Sequence, residues 1–401
     1  MGSRISRRQF TSSAAWVGAG LALPSSVWTQ VLPPSVAHAD VGAMERERVL
    51  AAAGDALQQP VVTITSVQAP RTSVDTHEFF SEIAPQPTEQ VPLPRQGFRE
   101  HATILRRFSN AVATLTAAYM LTHEDRYALR AGQHLYAWFV QGSTRMNPQL
   151  IMAGCPTLDK TSNGKPEGVV DAVPLAEVAR AMSFLVDTAA LAPPDLETAH
   201  QWFTSLLTWL NTSREPVIAR EAKDHSASAW LLLAAAISRS LRDTPILDAC
   251  THRFRKPTLR NQINANGVFQ HEITTGFPFR NTLMNFDMLV GACQLLSTPF
   301  DNLWDFELED GPGMRSIVAF LFPALRDRAK WPYIADPQHF RDLPGRRAGL
   351  LFCGRAYNRP EYVDVWRSTP APDMNALPDT IAASFPIHEP MIWTARALHG
   401  L

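Results

Sequence analysis

The chain has 401 residues, 45% of them hydrophobic and 19% charged, enough to bury a large core in one or two domains. Its formal net charge is -1. The global balance therefore gives no electrostatic case for nucleic acid as a partner, and a polyanionic ligand has to be met by a local basic site.

At the N-terminus, Ser6-Arg7-Arg8-Gln9-Phe10 places a twin arginine before a weakly charged, apolar stretch from Thr11 to Leu32. Ala37-His38-Ala39 then supplies small residues at cleavage spacing. This order of features predicts a Tat-type export signal over residues 1–39, a mature domain over residues 40–401 beginning at Asp40, and a periplasmic or secreted destination. Pro24, Ser25 and Ser26 interrupt the apolar stretch, which is too short for a stable membrane span, and no other stretch is a candidate.

From Gln58 to Phe98 the chain is rich in Pro, Thr and Gln and reads as irregular. Helical periodicity sets in at about His101. Leu105, Phe108, Val112, Leu115 and Tyr119 recur at steps of three and four, and so do Tyr127, Ala131, His134 or Leu135, and Trp138. Thr122-His123-Glu124-Asp125 reads as the turn between those two helices. A second irregular stretch, Met146 to Gly168, carries Asn147-Pro148, Gly154 and Asn163-Gly164. Long loops of this kind inside a domain are functional or disordered, and on a ring of helices they would line its cleft.

The helical pattern resumes with Leu175, Val178, Met182 and Leu185, and then Trp202, Leu206 and Trp209. Trp230 to Ile237 is apolar nearly all round and predicts a buried helix. Leu283 to Leu296 and Met314 to Leu325 complete the set. Strand-like alternation is sparse, and no repeat of fixed period is found. The fold class is therefore mainly all-α, and helical hairpins in series suggest an (α/α) toroid. Cys155, Cys250, Cys293 and Cys353 show no metal-binding spacing. Cys293 lies in an apolar run, so buried thiols are expected rather than a disulfide framework. No cofactor or metal site is expected.

Several motifs in order resemble the alginate lyase-like polysaccharide lyases, most closely the alginate and glucuronan lyases of polysaccharide lyase family 38. His77-Glu78-Phe79-Phe80-Ser81-Glu82 is similar to the family's H-D-F-Y-S-E, and Arg145-Met146-Asn147-Pro148-Gln149-Leu150 to its M-N-P-N-L loop. Tyr119-Met120-Leu121-Thr122, Trp209-Leu210-Asn211-Thr212-Ser213, Leu303-Trp304-Asp305-Phe306, Trp331-Pro332-Tyr333 and Leu350-Leu351-Phe352-Cys353-Gly354 follow in the family's order and spacing. The resemblance covers most of the mature chain. It implies a single toroid domain with few strands, and an acidic polysaccharide or oligosaccharide as partner.

It also implies a chemistry. A uronate lyase removes the C5 proton and expels the C4 oxygen, and it needs a group to neutralise the carboxylate, a base and an acid. In this family Asn, His, Glu and Arg neutralise, and a Tyr commonly serves as base and acid. The family's N-N-H motif falls on Lys223-Asp224-His225, which keeps the histidine alone. The segment E-L-x-R-T-K-P-Y-G-Y-S falls on Glu272 to Thr282, which keeps Glu272 and Pro278, with Asn285 kept downstream. Thr275 stands at the family's arginine, Phe279 at one tyrosine and Asn281 at the catalytic tyrosine. Ile83-Ala84-Pro85 replaces the aromatic stretch after H-D-F-Y-S-E. The departures gather where the family binds sugar, which implies a changed substrate, a changed mechanism or lost catalysis.

His225 and Arg280 are the candidate catalytic pair, the imidazole as proton shuttle and the guanidinium as carboxylate clamp. His77, Asn147, Lys223, Asp224, His271, Glu272, Asn281 and Arg346 are the candidate substrate-binding residues. Glu272 is also expected as a supporting partner of Arg280 or Lys223. Beside the lyase stand two alternatives. One is a glycosidase using Asp224 and Glu272, with Glu221 or Asp287 nearby. The other is a glycan-binding or assembly protein on a lyase scaffold.

Overall fold

Helix α1 (Val41–Gln58) starts at Asp40, the expected first mature residue, whose carboxylate accepts the Ala43 N–H at 3.0 Å. The structure, a computed structural model, describes residues 35–71, 73–84, 97–159, 161–374 and 376–395. The expected export signal lies outside the described residues up to residue 34. Reading helix only from about His101 misses α1. Its buried face runs Val41, Glu45, Val49, Ala53, Ala56, so a charged residue interrupts the apolar stripe.

The predicted helices follow: α2 (Glu100–Thr122), α3 (Asp125–Phe139), α4 (Pro174–Leu185) and α5 (Pro193–Thr212). His123 closes α2 in the left-handed region, at φ 56°, and so makes the expected turn. Short α6 (Arg214–Arg220) leads to α7 (His225–Leu241). Next, α8 (Thr244–Arg253) passes through a π-turn into α9 (Leu259–Gln262). The rest are α10 (Pro278–Leu296), α11 (Met314–Arg326), α12 (Ala348–Ala356), α13 (Pro360–Ser368), α14 (Asp379–Ala382) and α15 (Pro390–Thr394).

Helices α2, α4, α7, α10 and α12 pack side by side in that order, forming an inner row. A second layer covers it: α3 on α2, α5 and α8 on α7, and α11 and α13 on α12. This is the (α/α) toroid suggested by the hairpin pattern. Helices α7 and α10, in the middle of this row, are buried along nearly their whole length. Every residue of α7 from Ser226 to Ser238 is buried. In α10, Arg280 and Gln294 are the two positions that are not. Gly349 lets α12 approach α10 closely, since a Cβ there would lie 2.2 Å from the Phe286 ring. Trp304 and Trp331 are buried, and the four cysteines are buried and free.

The two irregular stretches are joined by a small parallel sheet, β1 (Phe80–Ile83) with β2 (Met152–Pro156). Its register pairs Phe80 with Met152 and Glu82 with Cys155, with an irregularity between. Ser81 Oγ donates to Asp171 and accepts the Gly154 N–H at 2.8 Å. Gly154 has φ +72°, and a Cβ there would press on the Gly168 backbone. Among the described residues no helix is long and apolar enough to cross a membrane.

Candidate active site

Helices α7 and α10 begin at the same end of the inner row, and the candidate site is built there. His225 is the first residue of α7. Glu272 opens a 3₁₀ turn (Glu272–Thr274) just before α10. Its carboxylate holds His225 twice. Oε1 accepts the His225 backbone N–H at 2.7 Å, and both oxygens lie 3.0–3.1 Å from Nδ1. Glu272 itself is fully buried. Asn285 Nδ2 donates to it at 2.9 Å and to Gln262 Oε1 at 2.7 Å, while Gln262 Nε2 donates to Ser228 Oγ at 3.1 Å. A buried hydrogen-bonded chain thus fixes the glutamate, and the glutamate fixes the imidazole.

The consequences for protonation are opposite at the two ends. Burial alone would lower the His225 pKa, but the Glu272 charge and hydrogen bond overcome it and leave it raised. Burial alone would raise the Glu272 pKa, but His225 and the N–H donors leave it lowered. The geometry assigns the Nδ1 proton to the glutamate side. Nε2 has no hydrogen-bond partner among the described residues and remains accessible.

Arg280 sits in the first turn of α10 beside this pair, close enough that its charge opposes protonation of His225. Its guanidinium lies 3.9 Å over the Phe277 ring. No hydrogen bond to it is present among the described residues. Burial lowers its pKa to about 10, against the attraction of Asp336, so it stays charged at neutral pH. Asp336 comes from the loop after Trp331. Its two oxygens accept the N–H groups of Phe279 at 2.8 Å and Arg280 at 2.9 Å. Helix α10 has no side-chain cap of its own, since Phe277 precedes it, so Asp336 caps it from a distance. Sequence reasoning finds neither Asp336 nor Phe277. The signal available was the missing cap before Pro278.

Asp224 caps α7, accepting the Ser226 N–H at 2.8 Å, and its other oxygen lies 3.8 Å from His271 Nε2. Lys223 is exposed at the edge and makes no ion pair among the described residues. His225, Glu272, Arg280, Asp224 and His271 are therefore brought together. The expected partnership of Glu272 is corrected: it serves His225, not Arg280 or Lys223.

Other expectations also need correction. Asn281 is 4% exposed and donates to Thr275 Oγ1, which in turn donates to the Glu272 carbonyl. It therefore shapes the loop and presents little surface to a sugar. Arg346 pairs with Glu45, donates to the Trp366 and Thr369 carbonyls and lies over the Trp366 ring. These contacts are structural and involve none of the cluster above. His77 Nδ1 bonds the Arg145 carbonyl at 2.7 Å, and the Asn147 N–H donates to the His77 carbonyl at 2.9 Å. Asn147 and Gln149 donate to Glu78. His77 and Asn147 thus pin two loops to each other, and among the described residues neither is hydrogen-bonded to the His225 cluster. Among the described residues no group of three His, Cys, Asp or Glu side chains is placed to hold a metal ion.

Fold and cluster define a class: a helical toroid with a histidine–glutamate pair and an arginine gathered where two inner helices begin. The family described as alginate lyase matches residues 63–331, and the chain belongs to that family. An alginate lyase from Bacteroides ovatus has a similar structure, with a TM-score of 0.73 and 22% identity over 88% of this chain and 94% of that one. Alginate lyase A1-III from Sphingomonas species A1 matches with a TM-score of 0.48 and 16% identity, over 77% of this chain and 85% of that one. No curated protein matches the chain.

Proposed function

We propose that this protein is a polysaccharide lyase that cleaves a uronate-containing polysaccharide by β-elimination, acting after export on a substrate other than ordinary alginate. One observation carries the reading: an accessible imidazole nitrogen, backed by a buried glutamate, stands beside an arginine with no hydrogen-bond partner. His225 Nε2 takes the C5 proton. Arg280 holds the uronate carboxylate, which makes that proton more acidic. Both groups sit in the first turns of helices, held there by carboxylates that accept the N-terminal N–H groups. The changed substrate is supported by Thr275, Phe279 and Asn281, which stand where the family carries arginine and tyrosines.

The glycosidase alternative lacks support in the geometry. Glu272 is fully buried beneath His225, and Asp287 is buried against Arg347. Neither can face a second carboxylate across a sugar.

The test is a panel of uronate polymers followed by the ultraviolet absorbance of the new double bond. His225→Ala should lose about 10²–10⁴-fold in kcat, and Arg280→Ala about 10²–10³-fold, with both variants folded. Reducing ends without a double bond would favour hydrolysis. Binding without cleavage would leave a glycan-binding scaffold. Export is tested separately: replacing Arg7 and Arg8 by Lys should hold the precursor in the cytoplasm, and unchanged export would remove that part of the reading.

A further inference from the structure

We propose that His271 is a second catalytic residue, the acid that protonates the leaving oxygen, so that elimination is shared between two histidines. The inference rests on the lyase reading above. It starts from a crossed arrangement. The dipeptide Asp224-His225 meets the dipeptide His271-Glu272, and each histidine faces the carboxylate of the other pair. His225 Nδ1 lies 3.0 Å from Glu272, and His271 Nε2 lies 3.8 Å from Asp224. Both imidazoles thereby belong to one junction between α7 and the turn before α10.

They are not held alike. His225 is 18% exposed in its side chain and tightly oriented, while His271 is 55% exposed and loosely held. A base that must meet one carbon-bound proton benefits from a fixed nitrogen. An acid that must follow a departing oxygen can tolerate play. Asp224 lies within ion-pair distance of the His271 ring, at 3.8 Å.

The neighbouring groups leave this role open. Asn281, at the family's tyrosine position, has no proton to give and is buried against Thr275. Arg280 stays charged and is committed to the carboxylate. Lys223 is exposed and unanchored.

The step balances. The C5–H bond breaks and its proton goes to His225 Nε2. The electron pair forms the C4=C5 double bond, and the C4–O bond breaks. The oxygen takes a proton from His271 and leaves as the hydroxyl of the other fragment. Water then returns His225 and His271 to their starting protonation, with no oxidant or reductant involved.

The experiment uses the full-length protein with glucuronan, hyaluronan, chondroitin and polygalacturonate as probes beside polymannuronate and polyguluronate, taking whichever gives the fastest double-bond signal. His271→Ala and His271→Gln should both lose about 10²–10³-fold in kcat on the polymer, with KM changed little. On a uronoside with fluorine at C4, where fluoride leaves with little proton help, the same variants should lose less than about tenfold. Unfolding curves matching wild type confirm that the variants fold. Wild-type activity left intact by His271→Ala would overturn the assignment alone. So would a loss confined to KM, or a loss equal on both kinds of substrate, because either makes His271 a binding group. Wild-type inactivity on every probe would overturn the lyase reading and the assignment together.

Discussion

At the scale of single residues, Glu272 decides which nitrogen of His225 works and when. It engages Nδ1 and leaves Nε2 without a hydrogen-bond partner among the described residues. A general base must be neutral to act, and the His225 pKa is raised above the ordinary 6.5. We therefore expect kcat/KM to climb as pH rises through a value above 6.5. In Glu272→Gln the raising charge is gone while burial still lowers the pKa. The acid limb should then move to lower pH, and the maximum should fall by roughly tenfold or more as the ring loses its orientation. The pair also sets a stability window. The contribution of His225 is fully present below 6.5 and is lost as pH rises through its raised folded value. That of Glu272 is present above 4.5 and is lost as pH falls through its lowered folded value. The difference in melting temperature between wild type and Glu272→Gln should thus be widest between pH 4.5 and 6.5. A flat difference across that range would mean that the pair does not carry the charge described.

At the scale of elements, helix α10 depends on a cap supplied by a distant loop. Asp336→Ala removes acceptors from two N–H groups and should cost about 0.5–2 kcal/mol of stability. It also frees the turn that carries Arg280, so kcat should fall, by less than in Arg280→Ala, and KM should rise. Asp336→Asn keeps an acceptor and should recover part of both. A variant with unchanged melting and unchanged KM would show that Phe277 and Pro278 position the arginine without the cap. The same contrast explains what could be read in the sequence. Helices α2, α3, α7 and α10 were legible because their apolar residues recur at helical spacing. Helix α1 was not, because Glu45 occupies its buried face, where Arg48 and Arg346 pair with it. At the site, His225 and Arg280 could be picked out because one is kept and the other is new in the resembling motif. The Glu272–His225 bond joins residues 47 apart, and Asp336 reaches Phe279 across 57, distances at which local pattern says nothing. Asn281 and Arg346 were misplaced for a related reason: a motif position does not say whether its side chain is already used.

At the scale of the whole molecule, the ring is tied from its C-terminal end. Helix α15 packs against α1, α2, α4 and α10 together. Arg48 of α1 grips Glu389 with both oxygens at 2.8–2.9 Å. Arg180 of α4 donates to the Ile392 carbonyl at 2.9 Å, near the end of α15. Glu177 of α4 accepts three N–H groups, from the His388 and Glu389 backbones and the Trp393 ring. Burial nevertheless dominates at Glu177 and pushes its pKa up to about 7. A carboxyl raised in this way takes up a proton on folding. Its cost is therefore absent below the ordinary 4.5, grows as pH rises toward 7, and stays in full above that. The shift corresponds to a cost on the order of 3 kcal/mol at alkaline pH. Glutamine retains an oxygen to accept the same donors and has no charge to bury. Glu177→Gln should accordingly match wild type in acid and exceed it in melting temperature above pH 7. A variant less stable than wild type at pH 8 would show instead that the ionised carboxylate, with its three donors, is what holds the C-terminal segment in the ring.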